Sequence, residues 1–314
     1  MRHAFRRAQD LRRFLGLPPD ADADDYGFPL FVPREFAARM VPGDPHDPLL
    51  RQVLTDPQEG RPAAGFSVDP VGDLAAGAAP GLLHKYAGRA LVVTTGACGV
   101  HCRYCFRRHF PYSENRPAAA DNAPALEHLR SHRSIEEVIL SGGDPLTLTD
   151  PSLDRWIDLI EAIPHVRRLR IHSRMPIVIP SRVTETLLAR LRRSRLAVWM
   201  VVHANHPHEI DAETADALGQ LVDSGIPVLN QAVLLRDIND DADVLADLST
   251  RLIDLRVMPY YLHLLDPVDG AAHFQVDAAT GRRLIEQLRT RLPGYAVPQL
   301  VREQAGKQSK TPIV

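Results

Sequence analysis

The sequence predicts an α/β fold: a partial (β/α)6 TIM-like barrel over residues 91–292, preceded by a mostly helical region over 1–90 and followed by a short segment over 293–314. Three observations carry this. Short apolar runs rich in β-branched residues recur from about residue 91, mostly at the spacing of one βα unit, about 30 residues. Helical patterns with recognisable starts and stops lie between them. The units number six rather than eight, which favours an open barrel over a closed one.

In chain order, the first stretch, MRHAFRRAQDLRRFLG, has arginines but no apolar core of a signal peptide. PPDADADDYGFPLFVP and VPGDPHDPLL then interrupt short helical stretches, because proline and aspartate at this density favour loops and caps. The barrel runs are LVVTT from Leu91, VILS from Val138, LRIHS from Leu169, AVWMVVH from Ala197, VLNQAVLL from Val228 and MPYYLHLL from Met258. PSLDRWIDLIEAI follows Asp150, with Pro151 suited to a first helical turn, and the helix after Asp211 is expected to end near Gly225. The tail from Pro293 is polar around EQAGKQSKTPIV and, taken alone, reads as a frayed terminus.

The chain has 314 residues, 45% hydrophobic and 24% charged, which excludes disordered and fibrous classes. A formal net charge of -2 provides no global field for nucleic acid or an anionic membrane, so a small or weakly charged partner is expected. No run approaches the roughly 18 apolar residues of a spanning helix, and the expectation is a cytoplasmic protein. Of 37 basic residues only Lys85, Lys307 and Lys310 are lysines. Chemistry that needs a side-chain primary amine therefore has three candidates, since a guanidinium is not usefully nucleophilic at neutral pH.

Three cysteines, Cys98, Cys102 and Cys105, stand in a CxxxCxxC spacing within TTGACGVHCRYCFRRHFPY, directly after the first barrel strand. Loops at the C-terminal ends of barrel strands build active sites. Three thiolates can hold three irons of a four-iron cluster and leave the fourth open. Two other readings are a structural zinc site completed by His101 or His109, and three buried thiols.

This triplet, with Tyr104 before its last cysteine, resembles that of the radical S-adenosylmethionine enzymes. The resemblance implies a 4Fe-4S cluster on Cys98, Cys102 and Cys105, with S-adenosylmethionine on the open iron. It also implies that Tyr104 lies against the adenine, and that Ser141, Gly142, Gly143 and Asp144 of SGGDP hold the methionine end. HKYAGR, CRYCFRRHFPY, HANHP, NQAVLLRDIND and SKTP, spanning residues 84–313, resemble the lysine 2,3-aminomutase branch, most closely the bacterial subgroup that supplies β-lysine for elongation factor P. Its members carry pyridoxal 5'-phosphate on a C-terminal lysine. Lys310 in SKTP matches that lysine, with Lys307 the alternative. Lys85 and Arg89 match the phosphate-binding cations, Tyr86 between them is placed against the ring, and His203 and Gln231 are placed near S-adenosylmethionine.

Substrate recognition follows from charge complementarity, since lysine presents a carboxylate and a distant ammonium. By resemblance, Arg107 takes the carboxylate, while Asp266 and Glu303 take the ammonium; Glu303 stands where the family has Asp. These acids argue against a glutamate substrate. The tail lacks the cysteines with which clostridial relatives bind zinc, so no zinc site is expected. The implied activity is an isomerase making (R)-β-lysine from (S)-α-lysine. Implied partners are an electron donor such as flavodoxin or ferredoxin, elongation factor P with its lysyl ligase, and a second copy in a homo-oligomer. Alternatives are a mutase acting in lysine catabolism or on another amino acid, and a non-catalytic iron-sulfur or zinc protein.

Overall fold

Residues 3–20, 25–115 and 123–314 are described in the computed structural model of the chain. Residues 21–24 of the proline- and aspartate-rich stretch lie outside the described residues. Before the barrel come helices α1 (Ala8–Phe14), α2 (Arg34–Ala37) and α3 (Pro48–Arg51), then a 3-10 turn at Pro57–Gly60 and strands β1 (Gly77–Ala79) and β2 (Leu82–Tyr86). The expectation of a mostly helical region is corrected here: two of the three helices are single turns. Proline at the start and polar caps suit short elements, as where the buried Asp47 side chain accepts from the Leu49 and Leu50 amides of α3.

The six predicted runs are all strands: β3 (Arg89–Thr95), β4 (Glu137–Gly142), β5 (Arg168–His172), β6 (Ala197–Val202), β7 (Val228–Leu234) and β8 (Met258–Leu264). They pair in parallel and in chain order. The tail is not frayed. Leu300 and Val301 are buried in β9 (Gln299–Arg302), a seventh parallel strand beside β8, and β10 (Thr311–Pro312) returns antiparallel to β9. At the other edge β2 pairs antiparallel with β3 and β1. The ten-strand sheet ends at β1 and β10 without closing.

Helices cover the outside: α4 (Ala123–Ser131), α5 (Asp150–Glu161), the single turn α6 (Met175–Val178), α7 (Glu185–Arg192), α8 (Ala212–Asp223), α9 (Ala242–Asp254) and α10 (Ala278–Arg289). In α5, Leu153, Trp156, Ile157 and Ile160 fall on one buried stripe, with Pro151 in the first turn. Asp211, Asp241 and Asp277 cap α8, α9 and α10 by accepting from amides of the first turn, each cap worth about 1 kcal/mol. Gly225 takes a φ of 77° just past α8, as its position predicted. Leu11, Phe36 and Leu49 of the N-terminal region share one apolar cluster with Ile177 and Met200 of the barrel. Among the described residues no helix is long and apolar enough to cross a membrane.

The strands also show how a barrel makes a site. In β5, Leu169 and Ile171 are buried, while the alternate residues Arg168, Arg170 and His172 line the interior cavity.

Candidate active site

The cysteine loop leaves β3 and is held from two sides. On the barrel side the Gly143 amide donates to the Thr95 carbonyl and the Asp144 amide to the Ala97 carbonyl, both at 2.7 Å. A Cβ on Gly143 would lie 2.3 Å from the Ala97 oxygen, so the glycine is required for this approach. On the other side the buried Glu59 carboxylate takes both Arg103 and Arg108, and the Arg103 amide donates to the Gln52 carbonyl at 2.8 Å.

Burial and the neighbouring cysteines push the Cys98 thiol well up and the Cys105 thiol up to about 11. The thiols are thus electrostatic neighbours. Among the described residues no group of three or more His, Cys, Asp or Glu side chains is placed to hold a single metal ion. His101 and His109, the candidates to complete a zinc site, each have one ring nitrogen on a backbone carbonyl, of Pro29 and of Asp269. Three thiols on one loop are the donor set that a four-iron cluster with one open iron takes.

A cavity of about 750 Å³ fills the barrel. The residues that the family resemblance assigns to cluster, cofactors and substrate line it: the three cysteines, Tyr104, Ser141–Asp144, His203, Gln231, Lys85, Tyr86, Arg89, Arg107, Asp266, Glu303 and Lys310. Lys307 is exposed and outside it. Gln231 sits within β7, and Lys85 and Tyr86 lie on β2.

A chain of ion pairs crosses the cavity wall. Asp73 lies 2.6 Å from Arg107 and 2.6 Å from Lys85, and Lys85 lies 3.7 Å from Glu303. Glu303 in turn accepts from Lys310 Nζ and from the Tyr86 hydroxyl, both at 2.7 Å. Burial raises the Asp73 and Glu303 carboxyls, but the adjoining cations outweigh it and hold both below their ordinary values. Asp266 differs. Burial pushes its carboxyl up to about 7 despite Lys310, helped by the Glu303 charge, and its Oδ1 has no partner. Such a buried orphan oxygen suits a cationic ligand. Lys85 is thus occupied by Asp73 and the Val71 carbonyl, and Arg89 lies 4.2 Å over the Tyr86 ring.

Tyr104 is buried, its ring stacked on His203 at 5.7 Å, and its hydroxyl lies 3.1 Å from His203 Nε2. Burial and the Arg174 charge push the His203 imidazole down to about 3, leaving it neutral. His172 and His263 are held neutral chiefly by burial, and the Nε2 of each lacks a partner.

Sequence reasoning missed Asp73, Arg168, Arg170, His172, Arg174 and His263, all of which line the cavity. Arg168, Arg170 and His172 were readable in principle, as polar residues alternating through an apolar strand. Asp73, in the loop VGDL, carried no such signal.

An open parallel barrel with three thiols on its first-strand loop defines a radical S-adenosylmethionine enzyme, and the radical SAM superfamily model matches residues 92–248. The fold agrees with a radical SAM methyltransferase from Sphaerobacter thermophilus at a TM-score of 0.51 and 19% identity, over 70% of this chain and 68% of that one. L-lysine 2,3-aminomutase of Escherichia coli (strain K12) is 52% identical over 91% of the chain and 83% of its own length. The protein of that name from Haemophilus influenzae is 44% identical over 99% and 93%. The chain belongs to the L-lysine 2,3-aminomutase family, whose members are isomerases. Membership in the superfamily implies a 4Fe-4S cluster and S-adenosylmethionine.

Proposed function

We propose that the chain is a pyridoxal phosphate-dependent lysine 2,3-aminomutase that converts (S)-α-lysine to (R)-β-lysine for the modification of elongation factor P. The observation that carries this is that one cavity brings together Arg107, a cation suited to a carboxylate, and Asp266 and Glu303, acids suited to an ammonium, with Lys310 and the three thiols. The elongation factor P link rests on the motif resemblance.

Cys98, Cys102 and Cys105 would hold the cluster, and Tyr104, the Ser141–Asp144 element, His203 and Gln231 would hold S-adenosylmethionine. Lys310 would hold pyridoxal phosphate by its amine, with Lys85 and Arg89 on the phosphate and Tyr86 against the ring. Bound together, these groups supply a carbon-centred radical and a conjugated ring that lets nitrogen migrate between neighbouring carbons. The chain supplies the orientation. Arg107, turned to Asp73 at 2.6 Å, exchanges or shares that partner for the substrate carboxylate in a bidentate pair. Asp266 gives up its proton as the distal ammonium arrives beside it, and Glu303 completes the grip. Leu91, Ile139, Trp199, Val201 and Leu229 present apolar walls that keep water from the reacting carbons.

An electron donor such as flavodoxin or ferredoxin, the lysyl ligase of elongation factor P and a second copy of the chain are the proposed partners, in the cytoplasm. The test is mass analysis of lysine isomers after anaerobic incubation with S-adenosylmethionine and dithionite. Formation of β-lysine is expected. Unchanged lysine from protein with full iron and pyridoxal phosphate content overturns the reading.

A further inference from the structure

Arg174 follows β5 and is buried at the edge of the cavity. Its amide donates to Asp144 Oδ2 at 2.7 Å, and the preceding Ser173 hydroxyl donates to Asp144 Oδ1 at 2.7 Å, which fixes where its side chain begins. Its Nη1 donates to the Tyr104 hydroxyl at 2.7 Å and reaches the Cys102 sulfur. Its Nη2 donates to Gln52 Oε1 at 2.7 Å and Glu209 Oε2 at 2.8 Å. Glu209 is fully buried, and its other oxygen accepts from the Asn205 and His206 amides and from Gln52 Nε2. Neither Arg174 nor Glu209 is itself a proposed substrate or cofactor contact, though Arg174 bonds to Tyr104 and Asp144, which are.

We propose that Arg174 is a positioning residue that sets the reduction potential of the iron-sulfur cluster through Cys102, and that Glu209 moderates it. The inference rests on the reading of the three thiols as cluster ligands. The cluster gains one electron from a one-electron donor of low potential and so gains one negative charge. A fixed cation that donates to a ligating sulfur stabilises that added charge, and hydrogen bonds to cluster sulfurs are an established lever on potential. A guanidinium stays protonated throughout, so the electron enters with no proton change on Arg174. Glu209 offsets part of the guanidinium charge at 2.8 Å, in a site where burial weakens screening. The two residues must therefore act with opposite sign. A purely structural role for the network has no such requirement, since breaking it from either end loosens the same loop.

The experiment is an anaerobic, mediator-buffered redox titration of the reconstituted full-length protein, read by the electron paramagnetic resonance signal of the reduced cluster, with iron and sulfide measured on each sample. At a fixed applied potential, Arg174→Gln is expected to lower the ratio of reduced to oxidised cluster about tenfold, equivalent to about 59 mV for one electron. Glu209→Gln is expected to raise that ratio severalfold, and Arg174→Lys to stay within about threefold of the parent. Iron-replete Arg174→Gln and Glu209→Gln that both titrate with the parent, or both shift the same way, overturn the proposal. If Arg174→Gln fails to fold, Glu209→Gln decides alone: a raised ratio supports it, and an unchanged or lowered ratio overturns it. If Glu209→Gln also fails, Arg174→Lys decides on the same limit, with a larger fall overturning it. Parent protein that takes up no iron and sulfide would instead overturn the cluster reading on which it rests.

Discussion

Glu303 Oε2 lies 2.7 Å from Lys310 Nζ, so a carboxylate read as half of the grip on the substrate's ammonium already holds an ammonium of the chain itself. The two cations compete for one acid. Removing the internal one is therefore expected to strengthen lysine binding to cofactor-free protein: Lys310→Ala should bind lysine about tenfold more tightly than the parent, roughly 1.4 kcal/mol. Isothermal titration of both proteins without pyridoxal phosphate measures it, and weaker binding by the variant would remove Glu303 from the ammonium site.

With the cofactor loaded, Lys310 has the opposite importance. Borohydride reduction is expected to fix pyridoxal phosphate to the C-terminal peptide at Lys310, not at the exposed Lys307. Peptide mass spectrometry reads the position. Lys310→Ala should lose the imine absorbance and keep its iron, because the cysteines lie on a different loop.

Cys98→Ala, Cys102→Ala and Cys105→Ala are each expected to lose the intact cluster and all turnover, since three ligands leave no spare. Iron and sulfide analysis of each purified variant is the check, and one variant with a full cluster and activity defeats the assignment.

Asp266 gives a pH dependence with a definite sign. Its carboxyl is raised to about 7, so folding favours the protonated form and the ligand-free protein loses stability as pH rises from the ordinary value of 3.8 through about 7. Asp266→Asn should then be more stable than the parent at pH 8 by roughly 4 kcal/mol and equal to it at pH 3.5. Lysine binding runs the other way, because the ammonium selects the ionised acid: the parent's KM should climb as pH falls below about 7, and that climb should vanish in the variant. Urea melts and initial rates separate the two effects.

Asp73 is the shared partner of Lys85 and Arg107. Asp73→Ala leaves two largely enclosed cations without it, and losing one partner of a buried pair typically costs about 3–5 kcal/mol. A midpoint in urea unchanged from the parent would mean that solvent or Glu303 replaces Asp73 at no cost.

The barrel was legible because its strands are apolar runs of ordinary length, most of them with β-branched residues, and the motif residues named from the sequence share one cavity. The tail was not. Only Leu300 and Val301 are buried in β9, and two apolar residues after Pro298 do not announce a strand; it forms because β8 offers an open edge. The polar network was hidden for another reason. Arg174 and Cys102 stand 72 residues apart, and Gln52 and Arg174 stand 122 apart, so no local pattern links them. Lys85 shows the limit of motif matching: the motif finds the cation but says nothing of Asp73, which holds it.

Glu59 and Gln52 lie upstream of the segment that matches the superfamily, yet they hold Arg103, Arg108 and Arg174 against the cysteine loop. A barrel cut free at β3 would inherit Arg103 and Arg108 without their carboxylate and Arg174 with one fewer acceptor, the first two on the cysteine loop and the third bonded to its Cys102. The first third of the chain is therefore no removable appendage. An excised barrel would retain every cysteine and still be a poor recipient of iron, and the natural point at which to divide this protein does not fall where the superfamily match begins.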